Sequence, residues 1–183
     1  NTPAPHLAFD GNDDYMMLLD TETYQLPVGT VSLWFKTTDI NIAQAMFSKD
    51  AGGNNTGGHL TAYLDVGGVV RVRLQSNDTS FEVLGASPVS ANEWHHLVFA
   101  FGGNEGMSLI VDGVLGGTNP YTGGLLRNYE PLVIGAATDT SVPLTAEPIS
   151  KPFSGQITEV HIYDRQLLSE EIVGLKTTTA PVL

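Results

Sequence analysis

Short runs of alternating apolar and polar residues, each cut off by a cluster of glycine, asparagine or aspartate, constrain this chain more than any other feature. In Thr30-Val31-Ser32-Leu33-Trp34-Phe35-Lys36, the residues Val31, Leu33 and Phe35 share one face. In Val70-Arg71-Val72-Arg73-Leu74 the valines and Leu74 face inward and both arginines face outward. A period of two sends alternate side chains to opposite faces of a strand, so such runs fit half-buried sheets. The same pattern predicts further strands at 6–10, 14–19, 44–49, 59–66, 80–84, 94–101, 107–112, 131–135 and 155–163. Between them lie Asp10-Gly11-Asn12-Asp13, Gly52-Gly53-Asn54-Asn55, Gly67-Gly68, Gly102-Gly103-Asn104 and Gly116-Gly117. Glycine reaches positive φ freely and Asn or Asp tolerates it, so these clusters read as turns. One segment reads as a helix, Glu170–Lys176, with Ser169 as its cap and two acids at its positive end. This succession predicts an all-β, two-sheet antiparallel sandwich with one short C-terminal helix.

Composition narrows what such a sandwich can do. At 183 residues the chain is expected to form one domain over 1–183. Twenty acids against eight bases give a formal charge of −12, which repels nucleic-acid phosphates and anionic membranes. The same acids, with side-chain amides, are the hard oxygen donors that calcium prefers. Cysteine is absent, where a secreted eukaryotic domain of this kind would often carry disulfides, and a bacterial source is expected. No apolar run reaches the roughly 18 residues a membrane-crossing helix needs. The opening Asn1-Thr2-Pro3-Ala4-Pro5 has neither the basic start nor the apolar core of a secretory leader. It reads as a linker, as does the Thr- and Pro-bearing tail 177–183, and both ends are expected to join a longer protein.

Several stretches carry a family resemblance in co-linear order. Leu7-Ala8-Phe9-Asp10-Gly11-Asn12-Asp13-Asp14-Tyr15 and Gly29–Lys36 resemble the opening strands of laminin-G-like jelly rolls. Trp94-His95-His96-Leu97-Val98 resembles their Trp-x-His strand, and Asp112-Gly113 their hairpin turn. Phe153-x-Gly155-x-Ile157-x-x-Val160, Tyr163-Asp164-x-x-Leu167 and Ser169-Glu170-Glu171-Ile172 are similar to the closing strand and helix. The resemblance is to the laminin-G and pentraxin branch of the concanavalin A-like jelly rolls, and within it to bacterial laminin-G-like modules. It implies an extracellular recognition module of a larger secreted or surface protein, an adhesin or an enzyme. The implied ligand is a carbohydrate, peptide or protein, bound with calcium. The alternative is a structural or protein-interaction domain whose calcium only stabilises the fold.

Two calcium positions follow from that resemblance. A structural calcium between the first and last strands would use Asp10 or the Gly11 carbonyl with Glu159. A ligand-bridging calcium, as in pentraxins, would use the loop residues Asp50, Asn54 and Asn55 with Asp139, while Tyr63 and Tyr121 stack on the sugar. The acidic turn at Asp10 is not an EF-hand, because Thr21 stands at the twelfth position where a glutamate is required. His95 and His96 fall on opposite faces of their strand and cannot share a metal, while His6 and His59 are isolated. Hydrolase and lyase chemistry lack support: no Glu-x-Asp-x-Glu run or Gly-x-Ser-x-Gly elbow occurs, and the bases are too scattered to neutralise a uronate. The expected chain is a binder without catalytic residues.

Overall fold

The computed structural model describes residues 5–50, 58–75, 79–138, 149–178 and 181. Among these residues fourteen strands run in chain order: β1 Leu7–Asp10, β2 Met16–Leu18, β3 Gly29–Thr37, β4 Gln44–Lys49, β5 His59–Leu64, β6 Val70–Gln75, β7 Ser80–Leu84, β8 His95–Phe101, β9 Met107–Val111, β10 Val114–Asn119, β11 Leu132–Ile134, β12 Ala137–Thr138, β13 Ile149–Ser150 and β14 Ser154–Tyr163. A helix, α1, spans Ser169–Thr178. Sheet 1 has the order β1-β14-β3-β8-β9-β10 and sheet 2 the order β2-β11-β4-β5-β6-β7, while β12 and β13 form a small ribbon. Two six-stranded antiparallel sheets stacked face to face make the expected jelly-roll sandwich.

Alternation decides what lies between the sheets. Val31, Leu33 and Phe35 from sheet 1 meet Leu60, Ala62, Leu64, Val70, Val72 and Leu74 from sheet 2 in one continuous core. Leu33, Phe35, Leu64 and Leu74 are fully buried. At roughly 1.5–3 kcal/mol for each large apolar side chain, this burial dominates the fold's stability.

Three sequence expectations needed adjustment. Gly116-Gly117, expected as a turn, sits inside β10. A Cβ on Gly116 would lie 2.3 Å from the Leu84 carbonyl oxygen, so glycine is what lets the β10 backbone close against β7. The helix extends through Thr177 and Thr178, whose hydroxyls donate to carbonyls of Val173 and Gly174, so the linker-like tail starts later than expected. Ser169, expected as the cap, is instead the first helical residue, and the helix start is held by Glu171, which accepts the Leu168 N–H at 2.8 Å, half of a capping box.

The two edges of the sandwich differ. Along β7 and β10 the backbones touch; along β1 and β2 the sheets part and leave a cleft of about 380 Å³. The two outer faces differ as well. On sheet 1, Val98, Leu167 and Ile172 form a second apolar cluster beneath α1, with Ile110, Tyr163 and Leu175 packed against it.

Candidate binding surface

Strands β5 and β6 turn His59, Thr61, Tyr63, Arg71, Arg73 and Gln75 to the outer face of sheet 2, because their alternate residues fill the core. Register then sets these side chains in rows: His59 beside Gln75, Thr61 beside Arg73, Tyr63 beside Arg71. The next strand adds Glu82 opposite Arg73 and Ser80 opposite Gln75.

Charges in these rows are mutually anchored. Arg71 Nε donates to Asp65 at 2.6 Å, and its Nη1 lies 3.6 Å from Glu82. Arg73 Nη1 donates to Gln75 Oε1 at 2.7 Å, and its Nη2 donates to Asp50. The Tyr63 hydroxyl reaches Glu82 at 3.4 Å. Lys151, in a left-handed backbone conformation after β13, brings its ammonium 4.9 Å from the centre of the Tyr63 ring. The result is a half-buried aromatic ring bordered by three cations and by carboxylates that hold two of them in place.

Asp50 anchors this face from below. It is buried at the end of β4, accepting from the Thr61 hydroxyl and Arg73, with His59 Nδ1 2.8 Å from its other oxygen. Burial pushes its carboxyl up, but the His59 and Thr61 hydrogen bonds and the Arg73 charge outweigh that and leave it below the ordinary value. His59, expected to be isolated, is thus the partner of Asp50. Both oxygens of Asp50 serve internal partners, so in this structure it holds Arg73 and does not present an open cation site. The other loop candidates, Asn54, Asn55 and Asp139, lie outside the described residues. Tyr121 is stacked on Phe81 at 3.9 Å between ring centres and packs against the core, on a different surface from Tyr63.

The proposed Asp10–Glu159 calcium pair is ruled out by register. β1 and β14 run antiparallel with Asp10 opposite Ser154 and Leu7 opposite Ile157. Glu159 therefore falls past the start of β1, five residue steps beyond Ser154 and about 16 Å from Asp10 along the strand direction. Asp10 is grouped instead with Asp13 and Asp14, whose carboxylates approach one another within 4.8 Å. The turn is tightly built: Asn12 N–H donates to Asp10 at 2.8 Å, Asp14 accepts the Asp10 N–H at 3.0 Å, and Gly11 takes φ +83°. The bonds from Asn12 hold the Asp10 carboxyl below its ordinary value.

The paired histidines are structural. His95 Nδ1 lies 2.7 Å from Asp112, whose second oxygen accepts the His96 N–H, so the Asp112-Gly113 turn is latched onto β8. His95 and His96 lie on opposite faces of β8, as expected, and both are buried. His96 Nε2 meets the Ser32 hydroxyl at 2.9 Å under a stacked Trp34 ring, and burial drives its pKa down to about 4. Asp50, Asp112 and His95 thus spend their polar atoms on internal partners, an arrangement suited to holding a surface in shape.

Register supplied what sequence reasoning missed. Cross-strand charge complementarity could have set Glu82 opposite Arg73 in register, although its ion pair is with Arg71, and hairpin arithmetic could have set Asp50 against His59. Nothing local places Lys151 over Tyr63.

Comparison with known proteins follows the fold. Residues 10–173 match the family model described as the Concanavalin A-like lectin/glucanases superfamily. No curated protein matches the sequence. Three solved structures illustrate the likeness. The heptameric SAP-like pentraxin of Limulus polyphemus is 17% identical, with 92% of this chain and 79% of that one covered and a TM-score of 0.66. The CBM40 domain of the Ruminococcus gnavus IT-sialidase, bound to α2,3 sialyllactose, is 16% identical over 94% and 98% of the two chains, with a TM-score of 0.68. Domain 4 of AbnA, an extracellular arabinanase of Geobacillus stearothermophilus in complex with arabinotriose, is 18% identical over 96% and 81%, with a TM-score of 0.65. At these identities the likeness is one of fold.

Proposed function

The chain belongs to the concanavalin A-like lectin/glucanase superfamily, and from that premise we propose that it is a non-catalytic glycan-recognition module of a larger bacterial protein, secreted or on the cell surface. The ligand sits on the outer face of sheet 2 over Tyr63. One observation carries this reading: the half-buried Tyr63 ring is bordered by Arg71, Arg73, Lys151 and Glu82. A pyranose needs an aromatic face for its apolar side and fixed donors and acceptors for its hydroxyls, and this surface offers both. Two neighbours of the same fold were solved with oligosaccharides, which supports a sugar over a peptide there.

Calcium belongs to the same proposal. The Asp10, Asp13 and Asp14 carboxylates suit a hard cation that would relieve their mutual repulsion and brace the turn between β1 and β2. Asn54, Asn55 and Asp139 remain the proposed oxygen donors for a ligand-bridging ion.

Calorimetric titration with oligosaccharides tests the reading. Wild type should bind, and Tyr63→Ala should bind roughly tenfold more weakly with its melting temperature nearly unchanged. Binding abolished by EDTA supports the ligand-bridging ion. EDTA that lowers only the melting temperature limits calcium to a stabilising role. Absence of binding to any oligosaccharide, or new reducing ends after incubation with polysaccharide, overturns the proposal.

A further inference from the structure

The open edge of the sandwich has its own chemistry, separate from the Tyr63 face. The cleft of about 380 Å³ there is walled by Leu7, Met16, Ile134, Ile157 and Val160, from both sheets, with Glu159 on its rim. That volume is within the range of sites that take one or two side chains or a small ligand. Glu159 reaches the rim through a β-bulge. Pairing between β14 and β3 shifts register between Thr158 and His161, and Glu159 occupies the interruption with φ +50°. Regular alternation after Ile157 would have aimed Glu159 at the core. The bulge turns it out and lets Val160 pack inward, with His161 Nε2 3.0 Å from the carboxylate.

The strand beside the cleft is also unfinished. Among the described residues β1 is paired only with β14. Asp10 N–H points away from β14, to Asp14, and by the alternation of an antiparallel ladder the N–H and C=O of Ala8 point the same way. Ala8 is exposed. One end of this open strand carries the Asp10–Asp13–Asp14 carboxylates and the other carries Glu159, about 16 Å apart by strand rise.

We propose that this edge binds an extended basic–apolar peptide, which adds as a strand beside β1, places an aliphatic side chain in the cleft and sets a basic residue at each acidic end. Charge selects this occupant. The described cleft lining holds no lysine or arginine, both ends of β1 are anionic, and the chain carries −12 overall. A second copy would bring the same acidic edge against itself, and an anionic lipid surface would be repelled. Main-chain hydrogen bonds to Ala8 would give affinity, and the cleft and carboxylates would select sequence, as in other strand-addition complexes.

Fluorescence anisotropy in EDTA, which strips any cation from the Asp10–Asp13–Asp14 turn, with a labelled, end-capped heptapeptide Lys-Leu-Thr-Val-Thr-Leu-Lys tests this, since its two lysines share one face of the strand and its aliphatic residues the other. Saturable binding is expected, weakened roughly tenfold by Glu159→Gln. It should be abolished by Met16→Lys, which fills the cleft mouth with charge at a half-exposed position. Both variants should melt as wild type does, and the Ala8 amide should gain protection from hydrogen exchange. Tyr63→Ala should leave the peptide affinity unchanged, which separates this site from the glycan face. The proposal is overturned by an absence of saturation at millimolar peptide or by equal affinity for Glu159→Gln. Equal affinity for the peptide with glutamates in place of its lysines overturns it too, as does a wild-type dimer that Met16→Lys dissociates.

Discussion

The two outer faces of the sandwich begin from the same alternation and end differently. On sheet 1 the outward residues Ser32, Trp34, His96 and Val98 are buried, Val98 by α1 and its approach segment. On sheet 2 the outward residues Tyr63, Arg71 and Arg73 keep part of their surface in water, and their polar atoms are tied sideways along the sheet to Asp65, Gln75, Glu82 and Asp50. Covering a face buys stability and removes it from recognition. Bracing a face sideways leaves its rings and charges pre-ordered and available, which lowers the entropic cost of binding. The sheet proposed to take the glycan is the one the helix does not cover.

The largest expected effect breaks the comparison from the covered side. Trp34 is 6% exposed and stacked on His96 at 4.9 Å. Trp34→Ala should cost about 3–5 kcal/mol of unfolding free energy in urea titrations. Glycan affinity of the folded variant should stay at the wild-type value, because Tyr63 lies on the other sheet. Loss of affinity in a variant that is still folded would mean the two faces are not independent.

Acid should separate the faces next. His96 has its pKa lowered from 6.5 to about 4, so the unfolded chain binds a proton more readily than the folded one between those values. Stability from keeping His96 neutral is present above pH 6.5 and is lost as pH falls toward 4, to the order of 3 kcal/mol. His95, raised by Asp112 against the effect of burial, acts oppositely: its contribution is full below pH 6.5 and fades as pH rises through its folded pKa. On sheet 2, Asp50 is held below its ordinary value and loses its contribution only on acidification below about pH 4. Chemical denaturation at pH 7, 5.5 and 4.5 should therefore show a falling stability that His96→Gln flattens, while the glycan affinity of the folded protein changes little. A His96→Gln protein with the wild-type slope would assign the acid sensitivity elsewhere.

Local pattern made the covered side and the core legible, and topology withheld much of the rest. The strands Gln44–Lys49 and Ser80–Leu84 could be placed to the residue, because alternation and flanking turns agree there. β10 was missed because Gly116-Gly117 reads locally as a turn, while its cause is the β7 backbone arriving from another sheet. The outward aim of Tyr63, Arg71 and Arg73 was readable from alternation, and so was the opposition of His95 and His96. The Asp10–Glu159 pairing failed because two carboxylates at the chain ends say nothing about register. The Asp50–His59 pair depends on how a hairpin closes, and Lys151 meets Tyr63 across most of the sequence.

Lys151 gives the smallest and sharpest test. Its ammonium lies over the Tyr63 ring with no hydrogen-bonded or ion-paired carboxylate among the described residues, whereas Arg71 has two and Arg73 one. An exposed cation over an aromatic ring is worth about 0.5–1 kcal/mol. Lys151→Gln should therefore move the melting temperature by only a degree or two. If the ammonium helps hold the ligand, the variant should lose roughly threefold in glycan affinity, and the loss should shrink in high salt as exposed charges are screened. If Lys151 instead covers a ring that the sugar needs, its removal frees the Tyr63 face and affinity rises. Titrating Lys151→Gln at low and high salt distinguishes the two, and an affinity identical to wild type at both would place the ligand away from this ring.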